Sequence, residues 1–194
     1  MDNSEVKKEL ERFRDYVVSQ SRRNLSRLRK NSSRSLYDSI KGKVNVMTNS
    51  ISIEFFMEDY GIFVDEGVKG KDPSKVSPNA KIKGQQAPNS RYKFGSGSAR
   101  GSWGKFKQSI EKWARSKNIR LRDEKGKYKK GNYKSIAHII ASNIYARGLK
   151  PSMFFTRPFE AAYKKLPQEL VEKYGLDAIK LFNQQVDQIL RRNG

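Results

Sequence analysis

Residues 148–163 read G-L-K-P-S-M-F-F-T-R-P-F-E-A-A-Y, and the fold turns on what this stretch joins. A helical pattern runs up to about Arg147, and a second amphipathic segment begins at Pro158. Between them lie Lys150-Pro151, then Met153, Phe154 and Phe155, then Arg157-Pro158-Phe159. Aromatic residues and prolines at this density make a stiff, apolar connection. Pro158 suits the first turn of a helix, where a missing N–H costs nothing. Thr156 is the expected N-cap, with Phe159 and Tyr163 on one helical face. By geometry alone this is a loop packed into a core. Its weight depends on a partner earlier in the chain.

On the C-terminal side, Leu166-Pro167 breaks the pattern, and Leu170, Val171 and Tyr174 resume helical spacing. Leu176, Ile179, Phe182, Val186 and Ile189 then predict a final amphipathic helix. On the N-terminal side, Ser135 is expected to cap a helix carrying Ile136, Ile139, Ile140 and Ile144. That helix holds His138, the one histidine, which without ligands or a nucleophile at recognisable spacing reads as structural or exposed. Trp103, Phe106, Ile110 and Trp113 recur at three, four and three, a helix ending near Lys117-Asn118.

Between these helices, residues 123–134 predict a glycine-punctuated hairpin or an exposed loop. Lys125, Lys127, Lys129, Lys130 and Lys134 are interleaved there with Tyr128 and Tyr133. That mixture suits phosphate contacts combined with base stacking. A solvated, mobile loop has the same composition, and both readings stand. Residues 68–102 are rich in Gly, Ser, Pro, Asn and Lys with little periodicity, and are expected to form a long irregular connection. Its Gly-Ser run, 95–102, looks flexible and lacks the G-x-x-x-x-G-K-[ST] spacing of a phosphate loop.

The first third of the chain is more regular. Val6, Leu10, Phe13 and Val17, and less cleanly Leu25 and Leu28, form the stripe of a helix from about Ser4 to Lys30. Leu36 and Ile40 suggest a short helical turn before Gly42. Residues 43–57 alternate with period two, Val44 and Val46 on one arm and Ile51, Ile53 and Phe55 on the other. This predicts a hairpin turning at Asn49-Ser50. In the segment that follows, Tyr60, Phe63 and Val64 are expected to share a helical face that Gly67 ends. Asp65-Glu66 resembles a catalytic carboxylate pair, but adjacent residues on a helix point apart and no further acid or histidine joins them. An exposed or inter-subunit ionic role is the expectation.

Composition bounds the function. The chain has 194 residues, 36% of them apolar and 11% aromatic, enough for one ordinary domain with an insertion. The absence of cysteine rules out disulfides and thiol chemistry and fits a reducing compartment. The N-terminus does not read as a secretory signal, and no apolar run reaches about 18 residues, the length of a membrane span. The net charge is +21, unevenly spread: residues 69–134 carry 20 basic and 4 acidic residues, whereas 43–68 carry 1 and 5. Such a segment is expected to face a polyanion or a negatively charged surface.

The order of motifs carries a resemblance. Ser35-Leu36-Tyr37-Asp38-Ser39-Ile40 follows the long helix, and the hairpin leads to Tyr60-Gly61-Ile62-Phe63-Val64-Asp65-Glu66-Gly67. Arg157-Pro158-Phe159-Glu160-Ala161-Ala162 comes near the end. This order resembles the tail-completion, or head-to-tail joining, proteins of tailed bacteriophages. That family has a segment ending Leu-x-x-Ser-Ile, then Tyr-Ala-x-x-Val-Glu-x-Gly-Thr, then Arg/Lys-Pro-Phe-x-x-Ala. Gly61 stands here for the usual Ala and Val68 for the common Thr, and the basic 69–147 region is a large insertion. The matches cover about half the chain.

The resemblance implies a single α+β domain over 1–194, with a long N-terminal helix packed on a small antiparallel sheet. A basic helical and loop insertion (69–134) and C-terminal helices complete it. It implies a virion structural protein of the neck, a ring subunit between portal or adaptor and tail proteins, with no enzymatic activity and no cofactor. It further implies possible contact with packaged DNA and none with a membrane. The candidate DNA or partner contacts are Lys125, Lys127, Tyr128, Lys129, Lys130, Tyr133 and Lys134. The candidate subunit interface is Tyr60, Asp65, Glu66, Phe154, Phe155, Arg157 and Phe159. The alternative from charge alone is a non-virion, sequence-nonspecific nucleic-acid-binding protein. A nuclease would need a metal–carboxylate cluster that these residues do not assemble.

Overall fold

Apolar side chains at nearly regular spacings of three and four residues bury one face of the first helix, α1 (Asn3–Arg27): Val6, Leu10, Phe13, Val17 and Leu25. Leu28, beyond its end, is exposed. The structure, a computed structural model, describes residues 3–28, 30, 33–47, 50–96, 102–123, 125–128 and 131–173. The helix expected over Leu176–Ile189, with Tyr174, lies outside the described residues.

The chain divides into two compact units, one of residues 1–65 and 152–194, the other Glu66–Pro151. The first is α+β. After α1 come a one-turn helix α2 (Ser35–Ser39) and strands β1 (Lys41–Met47) and β2 (Ser50–Phe56). The strands pair antiparallel from Lys41 with Phe56 to Met47 with Ser50. Ser50 is therefore a strand residue rather than part of the turn, and Asn49 lies outside the described residues. Val44 faces Ile53 in this register, so the period-two pattern sends its branched side chains to one face. That face and α1 pack together. Arg22 on α1 donates from Nε to the Tyr37 carbonyl (3.1 Å) and from Nη2 to the Ile40 carbonyl (2.8 Å), satisfying acceptors at the end of α2.

Helix α3 (Tyr60–Glu66) follows β2, and after the second unit the chain returns through 152–155 into α6 (Thr156–Tyr163) and α7 (Gln168–Lys173). The core forms where α1, β2 and α6 meet. Phe13 and Phe159 lie edge to face with centroids 5.4 Å apart, and Phe55 meets Phe155 the same way at 5.3 Å. Each such contact adds about 0.5–1.5 kcal/mol beyond the area it buries. Phe154, fully buried, completes the cluster, and its carbonyl accepts from Asn24 Nδ2 on α1 at 3.3 Å. A smaller group of Val6, Leu10 and Leu170 seats α7 on the start of α1.

The second unit takes in all of 69–134 and extends past it at both ends. Its limits are joined by a two-residue antiparallel ladder, β3 (Val68–Lys69) with β4 (Gly148–Leu149). Inside lie α4 (Trp103–Ser116) and α5 (Tyr133–Arg147), packed on each other. Ser102 caps α4 by accepting from the Lys105 amide. Asn132, not Ser135, caps α5, because the Asn132 side chain accepts from the Ser135 amide at 2.8 Å. Ile136, Ala137, Ala141 and Ala146 are the buried residues of α5, while Ile139 is exposed.

The connection over 70–96 is irregular as expected, apart from a 3-10 turn at Pro73–Lys75, and it is ordered by hydrogen bonds. The Lys71, Asp72 and Gln86 amides donate to the carbonyls of Tyr145, Ala146 and Arg147, at 2.9, 3.1 and 2.8 Å. These carbonyls end α5 and would otherwise lack partners. The Gln85 side chain brackets Gly70, accepting from its amide at 2.5 Å and donating to its carbonyl at 3.3 Å. A Cβ on Gly70 would stand 2.0 Å from the Ala146 carbonyl oxygen, so only glycine fits. Residues 97–101 lie outside the described residues.

The Phe55→Ala variant is expected to lose about 3–5 kcal/mol, the usual cost of emptying an aromatic core site. Leu28→Ala, at an exposed site, is expected to change stability by no more than about 0.5 kcal/mol. Urea unfolding followed by circular dichroism checks both, and equal losses would contradict this core.

Candidate functional site

Asp65 sits near the C-terminal end of α3 and is only 3% exposed. Its Oδ1 accepts from the Phe155 amide at 2.8 Å, and both carboxylate oxygens lie within hydrogen-bond reach of the Thr156 amide, at 3.4 and 3.3 Å. The Thr156 hydroxyl also donates to Oδ2. Asp65 therefore caps α6 across 90 residues of sequence. The residue before that helix, Phe155, has no side-chain oxygen to do so, and Thr156 is its first helical residue rather than its N-cap. A carboxylate there is favoured by free amides at a helix start. Ser152 and Met153 reinforce the junction, their amides donating to the carbonyls of Val64 and Asp65 at 3.0–3.1 Å.

This arrangement corrects the expected subunit interface. Asp65, Phe154, Phe155 and Phe159 are all buried within their own unit and have no surface to offer a partner. Tyr60 and Arg157 are exposed. The inward face of α3 is Gly61, Ile62 and Asp65, with Phe63 and Val64 half-buried, rather than Tyr60, Phe63 and Val64. Glu66, in the second unit, binds Arg91 through two bonds, Nε to Oε2 at 2.9 Å and Nη2 to Oε1 at 2.6 Å. That pairing raises the Arg91 pKa above its ordinary value and engages Glu66 inside its own unit. The two neighbouring carboxylates are thus both committed, to different partners.

The basic segment is built differently. Arg122 and Tyr128 form an antiparallel bridge, and the turn between them is closed by the Asp123 amide donating to the Lys127 carbonyl at 2.9 Å. Asp123 Oδ1 accepts from the Lys127 amide at 2.8 Å, and Gly126 supplies the positive φ (79°) of the turn. Lys125 and Lys127 are exposed at its tip, and Lys134 is exposed on α5. Among the described residues none of the three is paired with a carboxylate. Lys129 and Lys130 lie outside the described residues.

Tyr128 is 63% exposed, but it does not stand alone. The Arg120 and Arg122 guanidinium carbons lie 5.5 and 4.5 Å from its ring centroid, and Arg122 Nη2 donates to its hydroxyl at 3.0 Å. Tyr133 is half-buried. Its hydroxyl donates to Asn118 Oδ1 at 3.2 Å, and Arg115 lies 4.8 Å from its ring centroid. The two arginines beside Tyr128 are the functional candidates that sequence reasoning missed. Only the Arg122–Tyr128 register shows that they share a ring.

His138 is exposed, with Trp103 edge-on to it at 6.3 Å. Among the described residues no group of three or more His, Asp and Glu side chains could hold a metal ion, and no helix is long and apolar enough to cross a membrane. Compared with models of protein families, with curated proteins and with solved structures, the chain finds no match.

Asp65→Ala strips the acceptor from two buried amides and is expected to cost about 3 kcal/mol or more, with Asp65→Asn milder because one oxygen remains. Denaturant midpoints and hydrogen exchange at the Phe155 and Thr156 amides measure this. Unchanged protection in the Ala variant would refute the capping role.

Proposed function

We propose that this chain is a structural protein of the phage neck, a non-catalytic ring subunit that joins the head and portal to the tail. The observation that supports this reading most directly is the Asp65 junction. The Val64-Asp65-Glu66-Gly67 motif is bonded, through Asp65, to Phe155 and Thr156, immediately before Arg157-Pro158-Phe159. Segments whose order alone suggested the family are thereby close in space, as two parts of one scaffold need to be. The proposal places homo-oligomeric contacts on exposed residues such as Tyr60 and Arg157, and portal, adaptor or tail proteins as its neighbours.

The Glu66–Pro151 unit carries 22 Lys and Arg against 5 Asp and Glu, a formal +17, whereas the rest of the chain carries +4. That division supports a second role, contact with DNA in the channel, for which Lys125, Lys127 and Lys134 stand exposed. It equally favours the alternative, a nucleic-acid-binding protein that never enters a virion.

Quantitative mass spectrometry of purified particles from a phage encoding this chain separates the two. A few to about a dozen copies per particle, in fixed ratio to the portal, is the expected result for a ring. Absence from washed particles, with abundance in the infected-cell lysate, would leave the alternative. For the DNA contact, neutralising Lys125 and Lys127 should weaken duplex binding and flatten the slope of log K against log salt. The expected change is about 0.9 for each phosphate that a lysine no longer neutralises. Unchanged binding would remove those two lysines from the contact.

A further inference from the structure

The hairpin at residues 120–128 holds two guanidinium groups on one tyrosine ring with no carboxylate among the described residues paired to either. The Arg120 and Arg122 guanidinium carbons lie 5.5 and 4.5 Å from the same centroid, so they are within 10 Å of each other. Like charges so placed repel, and the ring offsets this through its negative face without neutralising either cation. Asp123, the acidic residue next to Arg122 in the chain, is turned to the Lys127 amide instead.

The pair is also held in place. Arg122 donates from Nη1 to the Gly126 carbonyl and from Nη2 to the Tyr128 hydroxyl, both at 3.0 Å. Arg120 donates from Nε to Asn118 Oδ1 at 3.3 Å, and that oxygen also accepts from the Tyr133 hydroxyl. These bonds engage two of the five N–H donors of Arg122 and one of those of Arg120. The remaining edges of two oriented, planar forks are the geometry that binds phosphate oxygens in pairs.

The geometry points to Arg120 and Arg122 as backbone-phosphate contacts for nucleic acid, with Tyr128 a positioning residue that aligns them rather than a platform on which a base stacks. The inference rests on the nucleic-acid reading of the basic unit, and not on placement in a phage neck. Nucleic acid is favoured over an acidic protein because duplex DNA presents a charge about every 1.7 Å of axis. A unit of formal +17 suits a partner of that density. Recognition through phosphates predicts indifference to base sequence and to whether bases are present at all.

Fluorescence anisotropy titrations of the full chain over a salt series, against a DNA duplex, a single strand and an abasic single strand, test this. Circular dichroism melts establish that each variant is folded. Arg120→Gln with Arg122→Gln should reduce the slope of log K against log salt on duplex by about 1.8, two contacts at about 0.9 each. Replacing both by Lys should keep the slope and lower affinity, since the charges stay and the forks go. Tyr128→Leu should weaken all three ligands alike, by about 2- to 5-fold, the size of an exposed cation–π contact.

A duplex slope unchanged by the double Gln variant would overturn the inference while leaving nucleic-acid binding intact. Weakening by Tyr128→Leu confined to strands that carry bases would overturn it in favour of stacking. Polyglutamate competing as well as duplex at equal charge would overturn it in favour of an acidic protein partner. Failure of the unaltered chain to bind any of the three strands would defeat the nucleic-acid reading itself, and this inference with it.

Discussion

One buried carboxylate closes the first unit. Asp65 could not remain charged at 3% exposure without donors, and Phe155 and Thr156 supply it with two amides and a hydroxyl. Burial of Asp65 therefore requires the return segment beside α3. The phenylalanine cluster depends on the same closure. With α6 beginning where Asp65 caps it, Phe155 and Phe159 reach Phe55 and Phe13. Directional bonds set the position of α6, and apolar burial supplies most of the energy that holds it there.

Such a junction explains how the whole of Glu66–Pro151 can lie between its two sides. Loop-closure entropy grows only with the logarithm of length, about 0.6 kcal/mol for each doubling. Lengthening the excursion from a few residues to a whole unit therefore costs little, provided the excursion satisfies its own backbone. Residues 66–151 do this by returning their irregular connection to the end of α5, where Lys71, Asp72 and Gln86 supply the amides that the last carbonyls need. Gly70 is the steric condition for that return. The ladder of Val68 with Leu149 then brings the ends of the unit together.

What could be read from the chain beforehand follows from which constraints are local. The stripe of α1, the alternation of the hairpin and the spacing of Trp103, Phe106 and Ile110 each repeat a period set by one element's geometry. Each element formed where that period lies, though the hairpin turns before Ser50. The α+β class was legible for the same reason. Asp65 was not, because its partners are 90 residues away and its neighbour Glu66 makes the pair look like surface charge. The order in 70–96 left no periodic trace, since it comes from single amides finding α5. Arg120 and Arg122 were hidden among twenty basic residues until a cross-strand pairing placed them on Tyr128. Phe154, Phe155 and Phe159 could be read both as core and as interface, since apolar residues suit either, and their burial decides for the core.

The distribution of cations over aromatic rings ties the second unit's architecture to its charge. With five carboxylates for 22 basic side chains, it cannot neutralise itself by ion pairs. It also seats cations over rings. Arg91 on Tyr92 and Arg115 on Tyr133 are each paired as well with a carboxylate, Glu66 and Glu111. For Lys71 on Tyr145, Lys107 on Trp103 and two arginines on Tyr128, the described residues supply no carboxylate partner. An ion pair would orient a side chain and cancel its charge together. A ring orients it and leaves the charge outward, at about 0.5–1 kcal/mol for an exposed contact. The consequence is that Lys71, Lys107, Arg120 and Arg122 are arranged in advance with no carboxylate paired to them among the described residues. Repulsion among them lowers the stability of the isolated unit, and a dense anion would relieve it. Were the partner the nucleic acid proposed above, relief of that repulsion would add to the binding energy, with little of the side-chain ordering cost left to meet.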